Sequence, residues 1–427
     1  MSPASILFIT FVTLLILGAP IMISLGVAAM MAFVSAGQDL SSLVQIAFSS
    51  VNQFPIMALP AFVLSGALME SAGISKRLVH VAESLVGSLD AGLAIATTLA
   101  CIFFGAISGS GPATTAAVGM LMIPAMINRG YDKGYASAAT AASGGVGIII
   151  PPSIPMVIYG VTAQESITEM FAAGVLPGLL IGVGLIIVHF VRCHGKGYGQ
   201  GMPKLSIKHV LKTIKEGFWA ILAPVVILGG IYSGFFTPTE SAIVAIFYTL
   251  FVGIVIYKEL TIKGLMASLE TTSWLTGRVL VIMFTAYSFG RLLVQYRVPD
   301  QIASMLLSLT SNVHLIWILI VAFLLFLGMF METLAIIMLV TPVLLPIMVS
   351  FGIDPIHFGI VLVCCCGVGF STPPLGENMF IASGIGGVSL EEISYKALPF
   401  CAITIGVILL IVYMPQIVLW FPRVLGF

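Results

Sequence analysis

The 427-residue chain is 59% hydrophobic and 8% charged, with a mean hydropathy of +1.16. A soluble domain carries about 25% charged residues, so this chain cannot cover itself with polar surface in water; its apolar runs are too long for barrel strands and read as a helical, polytopic membrane protein in a lipid bilayer. The 17 basic and 17 acidic residues balance, which points to no nucleic-acid or acidic partner.

Apolar stretches run over residues 5–36, 52–70, 93–127, 135–160, 171–191, 218–257, 277–297, 313–350, 356–385 and 395–422. About 20 residues cross the ~30 Å hydrocarbon core, so some stretches are one crossing and others two elements. The first is one tilted helix or a pair broken at Gly18-Ala-Pro20, and it lacks the basic start and small-residue cleavage pattern of a signal peptide. Gly92–Asn128 is too long for one helix and too short for two crossings with a turn. It breaks at Gly109-Ser110-Gly111-Pro112, which predicts a re-entrant hairpin of two half-helices. Residues 135–160 are interrupted by Ser143–Ser153, whose Pro151-Pro152 removes two N–H donors and frees the carbonyls before them.

The linker Arg192–Gly217 sets Arg192, Lys196, Lys204, Lys208, Lys212 and Lys215 against one acid, Glu216, and is cytoplasmic by the positive-inside rule. Two crossings follow in 218–257, broken near Thr237-Pro238. Counting outward from the linker places Arg129, Lys133, Lys258, Lys263 and Arg278 inside, and Asp300 and the C-terminus outside; Arg291, Arg297 and Arg423 fit this sidedness poorly. Leu315–Ser350 breaks near Met331-Glu332-Thr333 as a second hairpin, and Cys366–Asn378 interrupts the next segment.

An offset of 222 residues superposes Pro124 on Pro346, Gly130 on Gly352, Asp132 on Asp354, Gly145 and Gly147 on Gly367 and Gly369, Pro151-Pro152 on Pro373-Pro374, and Leu176-Pro177 on Leu398-Pro399, without a gap. Five crossings between Arg129 and Phe351 make the repeats inverted, the architecture of many secondary transporters. A non-helical tip at membrane depth survives only when buried in protein or lining a wet cavity. The pattern therefore predicts two tips facing two unwound helices. Ser108, Ser110, Thr114 and Thr115 meet Gly144–Ser153, and Glu332 and Thr333 meet Ser371, Thr372 and Asn378. Free carbonyls and hydroxyls there suit a hard cation such as Na⁺, and helix N-termini suit a carboxylate.

Glu332 and Glu377 stand out as intramembrane acids. Glu240 reads as a helix-start charge, and Thr237–Glu240 as an ordinary loop rather than a docking turn. The histidines map mostly to segment ends, with no zinc spacing and no phosphate loop. Six cysteines, three consecutive at Cys364–Cys366, read as packing residues. No residue pattern points to an enzyme: the serines of Ser108–Gly111 have no His or Lys base near them.

The segments "GAISGSGPATTAAVG", "GIIIPPSIPMVIYG", "GVGFSTPPLGENMFIASGI" and "FPIMALPAFVLSGALMESAGIS" closely resemble the large membrane subunit of tripartite ATP-independent periplasmic (TRAP) transporters over nearly the whole chain. The resemblance implies Na⁺-driven import of an organic acid across the bacterial inner membrane, sialic acid favoured over a C4-dicarboxylate, with no organic cofactor. It implies delivery by a periplasmic substrate-binding protein and a separate small four-helix membrane subunit. It also implies an elevator-type, all-α fold: scaffold helices and arm in 1–91, a first transport repeat in 92–191, linker, scaffold and arm in 192–312, and a second transport repeat in 313–427.

Carried onto this sequence, Na⁺ falls to Ser108, Gly109, Ser110, Thr114, Gly144, Gly147 and Pro151, and to Met331, Glu332, Thr333, Gly367, Gly369, Ser371 and Thr372. Substrate falls between the tips to Gly111, Pro112, Thr115, Pro152, Ser153, Pro373, Pro374 and Asn378. Few of these are basic, so a cation from elsewhere is a further expectation. The alternatives are a stand-alone Na⁺/dicarboxylate symporter, a passive channel, and an intramembrane serine enzyme.

Overall fold

The computed structural model describes residues 2–86, 89–198, 206–310, 312–373 and 376–427, and its described elements are all helical. The first half runs α1 (Pro3–Ile16), α2 (Ile21–Ser35), α3 (Leu40–Val51), α4 (Ala58–Ser71), α5 (Ile74–Val86), α6 (Gly92–Ser108), α7 (Gly111–Asn128), α8 (Lys133–Gly144), α9 (Ile154–Ala163) and α10 (Ile167–Cys193). The amphipathic α11 (Ile207–Glu216) lies in the linker. The second half is α12 (Phe218–Tyr232), α13 (Pro238–Phe251), α14 (Ile262–Gln295), α15 (Val298–Leu309), α16 (Val313–Gly328), α17 (Thr333–Ser350), α18 (Pro355–Gly369), α19 (Glu377–Gly386), α20 (Leu390–Tyr413) and α21 (Pro415–Leu425). Among the described residues six helical spans, or seven if the bent α11–α12 pair is one, are long and apolar enough to cross a membrane; α4 and α13 reach that length with the adjoining turns Phe54–Met57 and Val252–Ile256.

The 222-residue offset extends beyond the stretch where residues match. It carries α7 onto α17 end for end, and α8 and α18 begin in register. The same local chemistry sets both registers. Asp132 accepts the Tyr135 N–H at 2.8 Å and Asp354 accepts the Ile356 N–H at 2.8 Å, each capping the helix that follows. Just before each cap sits a glycine with positive φ, Gly130 at +83° and Gly352 at +76°, a conformation that a side chain resists.

The first apolar stretch is a pair, α1 and α2, with Gly18 at φ +79° between them. The crossing placed at 277–297 is instead part of α14, a continuous helix of 34 residues that starts at Ile262. In the first half the corresponding stretch is split into α3 and α4 by Asn52-Gln53 and Pro55. The second half has Trp274-Leu275 and Gly277 at those positions, so no proline removes a backbone donor and the helix runs on. Thr237–Glu240 is a capping box, with Glu240 accepting the Thr237 N–H at 2.8 Å, which accounts for Glu240 as a helix-start charge.

Contacts between distant segments fix the inversion. α10 spans about 40 Å at 1.5 Å per residue. Near its end, the Gly195 N–H reaches Asp90 at the base of the first hairpin, α6–α7. Near its start, the neighbouring α9 sends the Tyr159 hydroxyl to the Pro355 carbonyl, at the base of the second hairpin, α16–α17. α20 runs the other way: Lys396 pairs with Asp132 at 3.1 Å at its start, and the Tyr413 hydroxyl donates to the His314 carbonyl at its end. The hairpins therefore enter from opposite sides. Their breaks cross at the centre, where a Cβ on Gly367 would stand 3.1 Å from the Gly145 carbonyl; these are the same position in the two repeats, so the pseudo-dyad passes between them.

Candidate functional site

The first tip closes on itself. α6 ends at Ser108, Gly109 turns with φ +61°, and Ser110 caps α7 by accepting the Ala113 N–H. The Ser110 carbonyl accepts the Thr114 hydroxyl at 2.7 Å, and the Thr114 and Ser108 hydroxyls lie 3.1 Å apart. The Gly109 carbonyl accepts the Ile154 N–H at 3.2 Å, tying the tip to the restart of the broken helix at α9. Close packing demands glycine on both sides: a Cβ on Gly105 would meet the Gly147 Cα at 2.7 Å, and Cβ atoms on Gly147 and Gly144 would clash with Thr114 and Thr115. Ser108, Ser110, Thr114, Thr115, Gly144 and Gly147 thus converge as the pattern predicts. The buried Thr115 hydroxyl has no hydrogen-bond partner among the described residues. Pro151, Pro152 and Ser153 lie behind them, buried, and the Ser153 hydroxyl donates to the Ile148 carbonyl and accepts the Met156 N–H, so it serves the restart of α9.

The second tip is held from outside. Glu332 occupies the position equivalent to Ser110 and caps α17 by backbone geometry alone, with no side-chain cap bond. Its carboxylate instead accepts Arg278 Nη2 of α14 at 2.9 Å. Met331 and Thr333 flank it, and a Cβ on Gly369 would meet the Gly328 Cα at 2.7 Å, a contact like that of Gly147 with Gly105 but one residue further along the hairpin.

Some expected ligands are already occupied. Ser371 and Asn378 both donate to the Ala141 carbonyl, at 2.9 and 3.0 Å, and Thr372 donates to the Val368 carbonyl at 2.8 Å. None of the three lines the cavity between the tips, nor do Gly367 and Gly369. The expected meeting of Glu332 with these hydroxyls gives way to the Arg278 pair, because a carboxylate gains more from a guanidinium than from a hydroxyl already bonded to its own helix. Asn378 Oδ1 remains buried without a partner among the described residues. Pro373 lies in the loop before α19, and Pro374 is outside the described residues.

Both tips open onto one cavity of about 240 Å³. Four helix N-termini reach its wall: α7 through Pro112 and Ala113, α9 through Ile154 and Pro155, α17 through Thr333 and Leu334, and α19 through Glu377. The positive ends of their dipoles favour an anion, although at α7 and α9 the Ala113, Ile154 and Met156 N–H groups are already bonded and Pro112 and Pro155 have none. Gly109 and Ser110 contribute from the first tip. Trp274, Leu275, Arg278 and Val279 close the α14 side, where the Arg278 guanidinium carbon lies 5.6 Å from the Trp274 ring centroid.

Arg278 is the residue the sequence reading misplaced. Starting the crossing at 277 put it at a membrane edge, whereas it lies 16 residues into α14. The available signal was a lone charge between Glu270 and Arg291 in an otherwise neutral run. Glu377, singled out as an acid, does reach the cavity. His189 is an interior histidine, fully buried, with Thr98 at 2.9 Å and Tyr135 at 2.8 Å. The six cysteines are free and buried.

Residues 8–417 match the family described as "Tripartite ATP-independent periplasmic transporter, DctM component". The chain is 42% identical over 420 residues to the isethionate TRAP transporter permease protein DctMQ of Oleidesulfovibrio alaskensis, covering 98% of this chain and 66% of that protein. It is 38% identical to the C4-dicarboxylate TRAP transporter large permease protein DctM of Pseudomonas aeruginosa, covering 89% and 88%. It is 37% identical to the sialic acid TRAP transporter large permease protein SiaM of Vibrio cholerae, covering 87% of each. Among solved structures, the YdaH transporter of Alcanivorax borkumensis shares the fold, with a TM-score of 0.61 over 88% of each chain at 13% identity.

Proposed function

This chain belongs to the DctM component family of tripartite ATP-independent periplasmic transporters, and from that premise we propose that it moves an organic anion through the membrane on the Na⁺ gradient by an elevator motion. The observation that carries the reading is the single cavity where four helix N-termini and Arg278 face the two hairpin tips. In this reading a carboxylate or sulfonate lies between the tips, against Pro112 and the N-termini, and competes with Glu332 for Arg278. Such groups suit an arginine fork.

One Na⁺ is held by Ser108, Thr114 and the Ser110 carbonyl, beside Gly144 and Gly147. A second sits near Met331–Thr333, facing the Gly367–Gly369 break, with Asn378 Oδ1 a free oxygen nearby. Na⁺ occupancy adds positive charge beside the anion and so couples the two bindings. The hairpins and broken helices of 92–191 and 313–427 move together. The helices of 1–91 and 192–312, with α14 among them, stay fixed, so the Arg278–Glu332 pair spans the sliding surface.

The printed substrates of the relatives are isethionate, C4-dicarboxylates and sialic acid. They share an acidic oxyanion head, and that class is the proposal. The 42% identity to the isethionate relative makes isethionate the first compound to try, ahead of the sialic acid that overall likeness to the family favoured. A small membrane subunit and a periplasmic binding protein complete the system, in a bacterial inner membrane.

The experiment is uptake of labelled isethionate, a C4-dicarboxylate and sialic acid into proteoliposomes holding this chain with its small subunit. Each is tested with and without an inward Na⁺ gradient and binding protein. Uptake of one anion that needs both is expected. Uptake with Na⁺ but without binding protein would identify a stand-alone symporter, and uptake indifferent to Na⁺ would overturn the coupling.

A further inference from the structure

A second cavity, of about 230 Å³, lies on the same seam as the first. Helices α9, α14 and α17 line both: their earlier parts face the tip cavity and their later parts face this one. α14 supplies one arginine to each, Arg278 to the first and Arg291 to the second, 13 residues apart on a continuous helix. That spacing is about 20 Å along the axis.

The two arginines differ in how their charge is met. Arg278 is paired with Glu332. Arg291 has no ion-pair partner among the described residues, and no acid lines its cavity. The other polar residues lining the cavity are neutral: Ser50, Gln53, Thr162 and Tyr287. Arg291 is exposed and stands one turn before α14 ends, so its guanidinium is open to an arriving anion rather than spent on a neighbouring acid. Lys258 and Lys263 flank the start of α14, so the positive-inside rule turns its Arg291 end toward the outer face. The poor fit of Arg291 to a simple sidedness then has a cause, because it stands where an arriving anion would need a cation.

We infer that the Arg291 cavity is a receiving site for the organic anion on the outer side, where the substrate's carboxylate or sulfonate pairs with Arg291 before reaching the tips. This rests on the organic-anion reading above. The anion trades one α14 guanidinium for the other over that distance, so each end of the path offers its charge a cation.

The test uses the complete transporter in proteoliposomes and compares the wild type with Arg291→Cys, Arg291→Lys, Arg291→Gln and Arg278→Gln. Loss of one charge-assisted hydrogen bond should raise the uptake KM of Arg291→Cys and Arg291→Gln about tenfold with kcat little changed, while Arg291→Lys stays near wild type. Treating the Arg291→Cys variant with a positively charged methanethiosulfonate should restore the KM. A neutral reagent of similar size should not, and isethionate should slow the reaction; the six buried native cysteines make the untreated wild type the control. An unchanged KM in Arg291→Gln, or equal rescue by the neutral reagent, would overturn the site. If Arg291→Cys fails to insert, the Lys-against-Gln comparison decides alone, and equal KM values overturn the proposal. Loss of uptake in Arg278→Gln beside normal Arg291 variants removes the outer site only. Normal uptake in Arg278→Gln, or no uptake of any of the three anions by the wild type, removes the parent reading and this one with it.

Discussion

The two hairpin tips occupy equivalent places and solve the same problem differently. Each must break a helix at membrane depth without leaving backbone groups unpaired. The first tip does so internally: Ser108, Ser110 and Thr114 bond to each other and to the tip's own backbone, and Gly109 bonds to the restart of α9. The second tip places a carboxylate at the same turn and satisfies it with an arginine from another helix. The first is a self-contained pocket of neutral oxygens, the kind of set that suits a hard cation. The second is a contact between parts that the proposed motion would separate. Duplicated backbone with diverged side chains can thus divide ion binding from movement between two copies of one turn.

The largest expected effect breaks the second tip. Arg278→Gln should lower uptake by at least a hundredfold. It should also destabilise the protein by about 2 kcal/mol, a half-buried share of the cost of stranding one partner of an ion pair. Thermal unfolding in detergent and proteoliposome uptake measure the two. The Arg278→Gln/Glu332→Gln double variant should regain stability but not uptake; recovery of both would reduce the pair to a structural one.

Next come the glycine contacts that both tips share. Gly147→Ala and Gly369→Ala should each cut uptake at least tenfold, because the added Cβ forces hairpin and broken helix apart, a typical overpacking cost of about 1–3 kcal/mol. Similar losses in the two halves support symmetry of packing. A loss confined to one half would show that only that break is held to close tolerance during transport.

A smaller effect separates the tips by ion. Ser108→Ala should raise the Na⁺ concentration for half-maximal uptake about fivefold, whereas Thr372→Ala, whose hydroxyl is bonded to Val368, should shift it less than twofold. The reverse order, read from uptake against Na⁺ concentration, would move the better-formed ion site to the second half.

The smallest effect lies at the hairpin bases. Burial pushes the Asp132 carboxyl up, but the Tyr135 N–H and Lys396 outweigh it and hold the group below the usual carboxylate range. A lowered folded-state value stabilises the protein above the unfolded pKa, and that contribution fades as pH falls through the folded one. The wild type should therefore unfold a few degrees above Asp132→Asn at pH 7, with the gap closing below about pH 4. A gap that persists in acid would assign the effect to cap shape rather than charge.

Much of this molecule was legible in the chain because its punctuation is local. Gly109, Pro112, Pro151-Pro152 and the capping residues Asp132 and Asp354 act on the backbone within a few residues, so the breaks, the hairpins and the 222-residue repeat could be read directly. The convergence of Ser108, Thr114 and Gly147 followed from the repeat alone. What lay beyond reach were pairings between elements far apart in sequence. Arg278 meets Glu332 across 54 residues, and Ser371 and Asn378 meet Ala141 across more than 200. Whether a hydroxyl is free for an ion or spent on a neighbouring carbonyl depends on what packs against it. The sequence by itself determined where the helices stop. Only the tertiary structure decided which freed groups face one another, because that depends on the approach of two inverted halves across a pseudo-dyad that no local pattern encodes.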